Sequence, residues 1–128
     1  MKLLRSLFIL FLLIPFAGAK AQDNPFSKAK VLPLLCKKWR VVQIAAGDRR
    51  MDMPPNNDYM LFNSDFSYET KENDHVEKGT FRYNDATRKL SFSTTSNQYI
   101  VKAISATELM LDFSTEGTPG TFILKPVK

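Results

Sequence analysis

The stretch Phe66-Ser67-Tyr68-Glu69-Thr70-Lys71 decides the fold class, because larger side chains alternate there with small or charged ones at every second position. Successive side chains of a strand point to opposite faces of its sheet, so this period of two predicts a strand. Phe66, Tyr68 and Thr70 are expected on its buried face. The same alternation recurs at residues 80–83. These segments therefore belong to a sheet with one buried and one wet face.

Outward from this stretch, short runs of aromatic and β-branched residues alternate with turn-forming Asn, Asp, Gly and Ser roughly every 8 to 12 residues. Eight such runs are predicted strands, namely residues 38–45, 58–63, 65–71, 77–84, 89–94, 97–104, 108–113 and 120–127. Their short connections join neighbouring antiparallel strands, and pairing of the first strand with the last removes both exposed edges. We therefore predict an all-β fold, an eight-stranded antiparallel up-and-down barrel.

A short helix is predicted before the first strand. Asn24 followed by Pro25 is typical of a helix N-cap and first helical position, and Pro33 is expected to end the segment. The predicted helix therefore covers residues 26–32. The apolar side chains expected to plug one end of the barrel are Phe26, Val31 and Leu34.

The N-terminus has the pattern of a cleavable signal peptide. A positive start precedes an almost unbroken apolar run at residues 3–16, and Ala19-Lys20-Ala21 supplies the small residues that a signal peptidase needs. The apolar run is shorter than the roughly 20 residues of a transmembrane helix, and no second run follows. We therefore predict a signal peptide over residues 1–21 and a barrel domain over residues 22–128. The mature chain is expected to have no transmembrane segment and a periplasmic or extracellular location.

The net charge gives no indication of a nucleic-acid partner. Loss of the predicted signal peptide removes three of the 18 basic residues and lowers the formal charge from +5 to +2. The densest basic cluster, formed by Lys37, Lys38 and Arg40, straddles a strand start, and no aromatic stacking pattern surrounds it. Nucleic-acid-binding surfaces typically present a larger basic patch, and those that bind single strands add stacking aromatic side chains. We expect no nucleic-acid partner, and the sequence identifies no protein partner.

The titratable side chains form no catalytic or metal-binding pattern. The single cysteine, Cys36, cannot form an internal disulfide, and its apolar neighbours indicate a buried side chain. The single histidine, His75, lies in an acidic turn and is expected to be exposed, far from Cys36. A metal site needs several converging ligands, and a nucleophile needs an adjacent base. We therefore expect no metal, no cofactor and no enzymatic activity.

Four segments carry a resemblance to a known family, namely Lys37-Lys38-Trp39 and residues 59–65, 79–84 and 108–111. Their order and spacing resemble the small lipocalin-like domains found in exported proteins of Bacteroidetes-type bacteria. The resemblance implies an up-and-down barrel that commonly binds an apolar ligand. The chain departs from the lipocalin signature at Lys37, where that signature has a glycine. Lys125 is the nearest counterpart of the signature arginine that packs on the tryptophan.

The inner face of such a barrel is the candidate ligand site. The side chains expected to line it are Trp39, Gln43, Met60, Tyr68, Phe81, Phe92, Tyr99, Phe113 and Phe122. The longest predicted loop, residues 47–57, is expected to lie at the open rim. Within it, Arg49, Arg50, Met51 and Met53 are candidates for a lid, because methionine adapts to apolar surfaces and arginine pairs with anions. The alternative is a plain surface loop.

Two functions remain open from the sequence. The first is an exported binding protein for a small apolar or amphipathic ligand held inside the barrel. The second is a non-catalytic structural or interaction protein of the cell envelope, in which the same aromatic rings fill the barrel completely. Eight strands leave little spare room inside a barrel, so both are physically reasonable. The presence and size of an internal cavity distinguish them.

Overall fold

The computed structural model describes residues 24–115 and 117–128, and the predicted signal peptide at residues 1–21 lies outside them. The described residues form one helix and nine strands. These are α1 (Lys28–Leu35), β1 (Lys38–Ala46), β2 (Arg49–Asp52), β3 (Tyr59–Phe62), β4 (Ser67–Glu72), β5 (His75–Asn84), β6 (Lys89–Phe92), β7 (Gln98–Ile104), β8 (Leu109–Thr115) and β9 (Thr118–Pro126). Within these residues no helix is long and apolar enough to cross a membrane.

The strands close into a barrel. From β3 to β9 each strand pairs antiparallel with the next one along the chain, and β1 pairs with β3 on one side. On its other side β1 pairs with β9, from Trp39 opposite Pro126 to Ala45 opposite Thr121. This last pairing removes both edges of the sheet. The predicted all-β fold with an eight-stranded antiparallel up-and-down barrel and a short N-terminal helix is therefore confirmed.

Nine strands form eight barrel positions because β2 and β3 are two parts of one wall strand. Asp52 at the end of β2 pairs with Gln43 of β1, and Met60 in β3 pairs with Trp39 of β1. Asp52 and Met60 are eight positions apart, whereas Trp39 and Gln43 are four positions apart, so this wall strand carries four more residues than the matching part of β1. The extra residues contain Pro54-Pro55, which has no backbone N–H to donate to a ladder. The wall strand is therefore interrupted between β2 and β3, and this interruption lies beside the barrel interior.

The prediction of one loop over residues 47–57 is wrong for its first half. Residues Arg49–Asp52 form β2, which returns along β1 after a tight turn of two residues, Gly47 and Asp48. Gly47 has φ +60°, a conformation that glycine adopts without a steric penalty and that two-residue hairpin turns require at this position. The hairpin leaves only the segment after Asp52 as an irregular connection to β3.

The helix begins and ends later than the sequence predicts. It starts at Lys28 with Ser27 as its N-cap, continues through Pro33 and ends at Leu35. Pro33 costs the helix one backbone hydrogen bond, but the side chain of Leu35 is fully buried and holds the last turn against the barrel. Val31 is buried as predicted, whereas Leu35 replaces Leu34 as the second fully buried residue of the plug.

The closed end of the barrel contains the tightly packed core. The fully buried side chains there include Val31, Leu35, Trp39, Phe62, Leu90, Val101, Leu109, Leu111 and Leu124. The indole N–H of Trp39 donates to the Leu35 carbonyl oxygen at 2.9 Å, and the hydroxyl of Tyr83 donates to the Phe26 carbonyl oxygen at 2.6 Å. Helix α1 and the segment before it are thereby attached to the barrel, which seals this end.

Phe66 does not occupy the buried face on which the alternation places it. It lies in the turn before β4 with φ +67°, and 45% of its side chain surface is exposed. The turn is fixed by Asp65, whose Oδ1 accepts the backbone N–H of Ser67 at 2.9 Å. Such Asx interactions define turns and compete with strand pairing, so β4 begins only at Ser67.

Candidate ligand cavity in the barrel

A cavity of about 360 Å³ lies inside the barrel at the end opposite α1. The residues of its wall are largely apolar or aromatic and include Val41, Ile44, Met60, Tyr68, Phe92, Tyr99 and Phe122. Polar residues from the ends of β4 and β5 and from the connections at this rim complete the lining. The barrel is therefore solid at one end and open at the other.

Four aromatic rings form a continuous band along one side of the cavity. Ring centroids are 4.8 Å apart for Tyr68 and Phe92, 5.6 Å for Phe92 and Tyr99, and 5.8 Å for Tyr99 and Phe122. These spacings and the tilted or edge-on ring orientations are those that aromatic pairs prefer. The aromatic band, as we call Tyr68, Phe92, Tyr99 and Phe122, connects β4, β6, β7 and β9 and fixes the shape of the wall.

Five of the nine side chains expected to line the site do surround the cavity, namely Met60, Tyr68, Phe92, Tyr99 and Phe122. Trp39 and Phe81 are buried in the core and do not reach it. Phe81 contacts Phe62 with ring centroids 5.1 Å apart, so it belongs to the closed end. Phe113 stacks on Phe122 with centroids 4.2 Å apart and supports the aromatic band instead of lining the cavity.

The prediction that Gln43 faces the barrel interior is wrong. The register between β1 and β9 shifts by one residue between Val41 and Gln43, so Ile44 pairs with the inward-facing Phe122. A bulge of one residue exchanges the inner and outer faces of a strand. Gln43 consequently points outward and its Nε2 donates to Asp52 Oδ1 at 2.7 Å, while Ile44 lines the cavity.

The predicted lid is only partly at the cavity. Arg49, Arg50 and Met51 lie on β2 with exposed side chains and do not line the cavity. Met51 is 65% exposed. Met53 is half-buried and lines the cavity, together with Asn56 and Asp58 from the interrupted wall strand. The sequence did contain a signal for β2, namely the Gly47-Asp48 pair, because such pairs form hairpin turns between adjacent strands.

Charged side chains at the mouth of the cavity were not expected from the sequence. Thr70 and Glu72 follow Tyr68 at every second position of β4, and Thr70 pairs with Glu77 of β5. These residues therefore share the inner face of the barrel, and all three line the cavity. The signal was present in the sequence, because the alternation from Tyr68 continues to Glu72, but residues 72–77 also have the composition of an exposed acidic turn.

Two of the three tyrosines that line the cavity, Tyr68 and Tyr99, have an ionisation perturbed mainly by burial. Burial raises the pKa of Tyr99 above its usual value, and the negative charge of Glu72 raises it further. Burial also raises the pKa of Tyr68, and the charge of Glu77 adds to the effect. The Tyr68 hydroxyl shares a hydrogen bond with the hydroxyl of Thr94. Both phenols therefore remain neutral near pH 7 and offer hydrogen-bonding groups beside apolar rings.

Two further concave surfaces lie elsewhere. An open cleft of about 800 Å³ runs over the outer face of β5 and β6, where the side chains of Arg82, Asn84 and Lys89 are exposed. A groove of about 200 Å³ beside α1 is lined by Cys36 and Phe66 among others. Burial raises the pKa of the Cys36 thiol, and the nearby Asp65 adds to that effect. No three His, Cys, Asp or Glu side chains of the described residues are grouped so that they could hold a metal ion.

Comparisons with known proteins give one structural likeness. No protein-family model matches the chain, and no curated protein matches it either. A crystal structure of a DUF4847 family protein from Bacteroides vulgatus is similar, with 13% sequence identity and a TM-score of 0.49. The match covers 72% of this chain and 93% of the other one. The fold itself defines the class as a small antiparallel β-barrel domain with one short helix.

Proposed function

We propose that this chain is a non-catalytic, lipocalin-like binding protein that holds a small apolar or amphipathic molecule in the barrel cavity. The observation that carries the proposal is the cavity of about 360 Å³ with its aromatic band. Ligand sites typically measure roughly 300 to 1,000 Å³ and are mostly apolar with a few directed polar groups. The cavity lies at the lower end of that range, so its ligand is small.

The contrast between the two ends of the barrel supports binding over a solid structural barrel. The closed end is packed around Trp39 and Leu35, both fully buried. At the open end Phe92, Tyr99 and Phe122 are only partly buried although they face inward. Apolar walls next to an unfilled space lose contacts that a ligand would restore. A protein needing only a stable core would gain nothing from this arrangement.

The positions of the reactive side chains support the non-catalytic part of the proposal. His75 is exposed at the start of β5, and its Nε2 lies 3.8 Å from Glu77 Oε1. Cys36 follows α1 at the closed end, away from the cavity. A nucleophile and its base must lie within hydrogen-bond distance. The predicted signal peptide would bring such a binding protein to the periplasm or the cell exterior.

Fluorescence titration of the purified protein with the uncharged dye N-phenylnaphthylamine tests the proposal. We expect saturable binding with increased dye emission, because the dye leaves water for the apolar cavity. Ile44→Lys should abolish the signal, because it places a charge in the cavity wall. Gln43→Lys is the matched control, since it introduces the same side chain at the adjacent, outward-facing position, and it should bind the dye like the unaltered protein.

Circular dichroism verifies that each variant is folded. If Ile44→Lys does not fold, Thr70→Lys provides a second test from β4. Absence of saturable binding by the unaltered protein, or equal loss of binding in the Ile44 and Gln43 variants, would contradict the proposal.

A further inference from the structure

The charged residues that line the cavity give it an unbalanced negative mouth. They are Asp58, Lys71, Glu72 and Glu77, three carboxylates and one ammonium group. Lys71 already has a partner outside the cavity lining, because its Nζ lies 3.8 Å from Asp74 Oδ1. Asp58 accepts the backbone N–H of Asn73 at 3.1 Å. The three carboxylates and one ammonium group leave the mouth with a net negative charge, and two of the carboxylates, Glu72 and Glu77, lie on the inner face of the β4–β5 hairpin.

The strand register brings Glu72 and Glu77 together. Glu77 pairs with Thr70 and His75 pairs with Glu72, so the two glutamates are diagonal neighbours on the inner face of the β4–β5 hairpin. Diagonal neighbours have Cβ atoms roughly 7 Å apart, close enough for long side chains to interact. Glu72 forms no ion pair with any described residue, and Glu77 has only the exposed His75 at 3.8 Å. Two like charges at this distance repel, and a cation between them would relieve the repulsion.

The aromatic band begins directly below these carboxylates. Tyr68 precedes Thr70 and Glu72 on the same face of β4, and it contacts Phe92. Glu72 and Glu77 line the same cavity as Tyr68 and Tyr99. Their charges add to the effect of burial in raising the pKa of Tyr99 and of Tyr68, respectively. Aromatic faces combined with carboxylates attract organic cations through the ring quadrupole and through charge.

We infer that the cavity selects amphipathic organic cations, in which an amine or quaternary ammonium group lies between Glu72 and Glu77 and the apolar part lies against the aromatic band. This inference rests on the proposed function and adds the chemical class of the ligand. The predicted mature chain has a formal charge of +2. Its overall field would therefore disfavour cations, so the preference belongs to the local carboxylates.

Isothermal titration calorimetry with three ligands that share one octyl chain tests the inference. The ligands are octyltrimethylammonium, octanol and octanoate. We expect the cation to bind about tenfold more tightly than the alcohol, because the charges of Glu72 and Glu77 attract it, and octanoate to bind most weakly because the same charges repel it. The double variant Glu72→Gln/Glu77→Gln should reduce the difference between cation and alcohol to about twofold or less while leaving the affinity for octanol unchanged.

The matched control is Asp48→Asn/Asp52→Asn, which removes two exposed carboxylates from the β1–β2 hairpin at the same end of the barrel without altering the cavity lining or the partner of Lys71. It should keep the cation preference. Equal affinities for all three ligands, or a preference that survives loss of Glu72 and Glu77, would overturn the inference while the proposed binding function stands. Failure of all three ligands to bind would overturn both.

Discussion

The indole N–H of Trp39 and the carbonyl oxygen of Leu35 form a hydrogen bond of 2.9 Å that joins the first barrel strand to the last turn of α1. Both side chains are fully buried. On the outer side of the indole, the ammonium group of Lys37 lies 5.3 Å from the ring centroid and also donates to the Ala106 carbonyl oxygen at 3.2 Å. Lys37, and not Lys125, is thus the cation beside the tryptophan. Lys125 instead pairs with Glu108 at 2.9 Å.

Trp39→Phe should lower the free energy of unfolding by about 1 to 3 kcal/mol, because it removes this hydrogen bond and leaves part of a packed site empty. Chemical denaturation followed by circular dichroism is the appropriate measurement, since Trp39 is the single tryptophan and its fluorescence is lost in the variant. Val127→Ala, at an exposed position, is the control and should change stability by less than about 0.5 kcal/mol. Equal stability of the two variants would contradict the assigned role of Trp39.

Gly120→Ala should lower the free energy of unfolding by about 1 to 2 kcal/mol. A Cβ atom at Gly120 would lie 2.5 Å from Cζ of Phe113, and the Phe113 ring cannot withdraw freely because it stacks on Phe122. In a Phe113→Ala background the same substitution should cost little, so a double-mutant cycle should give a clear coupling energy. Additive effects of the two substitutions in thermal unfolding would show that the ring does not cause the cost.

Phe92→Ala should destabilise the protein by about 2 to 4 kcal/mol, because the ring contacts Phe62, Tyr68 and Tyr99 at the centre of the aromatic band. The same variant enlarges the cavity and should accept a bulkier apolar dye. Phe66→Ala truncates the same residue type at an exposed turn position and should cost less than about 1 kcal/mol. Denaturation midpoints that fall equally for both phenylalanines would contradict this.

Stability should decrease in alkaline solution. All four tyrosines have a raised pKa, chiefly through the hydrogen bond to Glu69 for Tyr59 and through burial for Tyr68, Tyr83 and Tyr99. A pKa raised in the folded state contributes stability that is present below the usual value of 10.0 and is lost as the pH rises through the folded value.

Ultraviolet titration of tyrosinate should therefore show ionisation above pH 10.0, accompanied by a falling free energy of unfolding. Tyr99→Phe should make the alkaline decrease shallower. Ionisation of all four tyrosines at the usual pH without loss of stability would contradict the assignment.

The barrel could be predicted from the sequence because local pattern and topology agree. The alternation at Phe81 and Tyr83 and at Leu109 and Leu111 identifies inner faces, and all four residues are buried. Connections of a few residues leave antiparallel neighbours as the only pairing. The bulge after Val41 could not be predicted this way, because one extra residue does not alter the strand propensity of the segment. It nevertheless turns Ile44 instead of Gln43 toward the barrel interior.

The part of the candidate site formed by alternating apolar residues of the strands, such as Tyr68, Phe92 and Tyr99, could be predicted from the sequence. The part that depends on the geometry of a turn could not. Asn73 and Asp74 both have positive φ, at 51° and 67°, which gives the β4–β5 hairpin a tight two-residue turn. That turn brings Glu72 and Glu77 to one face of a regular ladder. A longer acidic loop of the same composition would not have placed both carboxylates on one face of a ladder, and composition alone does not distinguish the two.

The interrupted wall strand between β2 and β3 has a consequence for engineering specificity. Its four additional residues are accommodated without a register change in β3–β4, β4–β5 or β8–β9, so the pairing of these strands does not depend on their number. Met53 and Asp58 from this segment nevertheless line the cavity. Residues 53–58 are therefore the position at which length and composition can be redesigned to accept other ligands while the scaffold keeps its pairing.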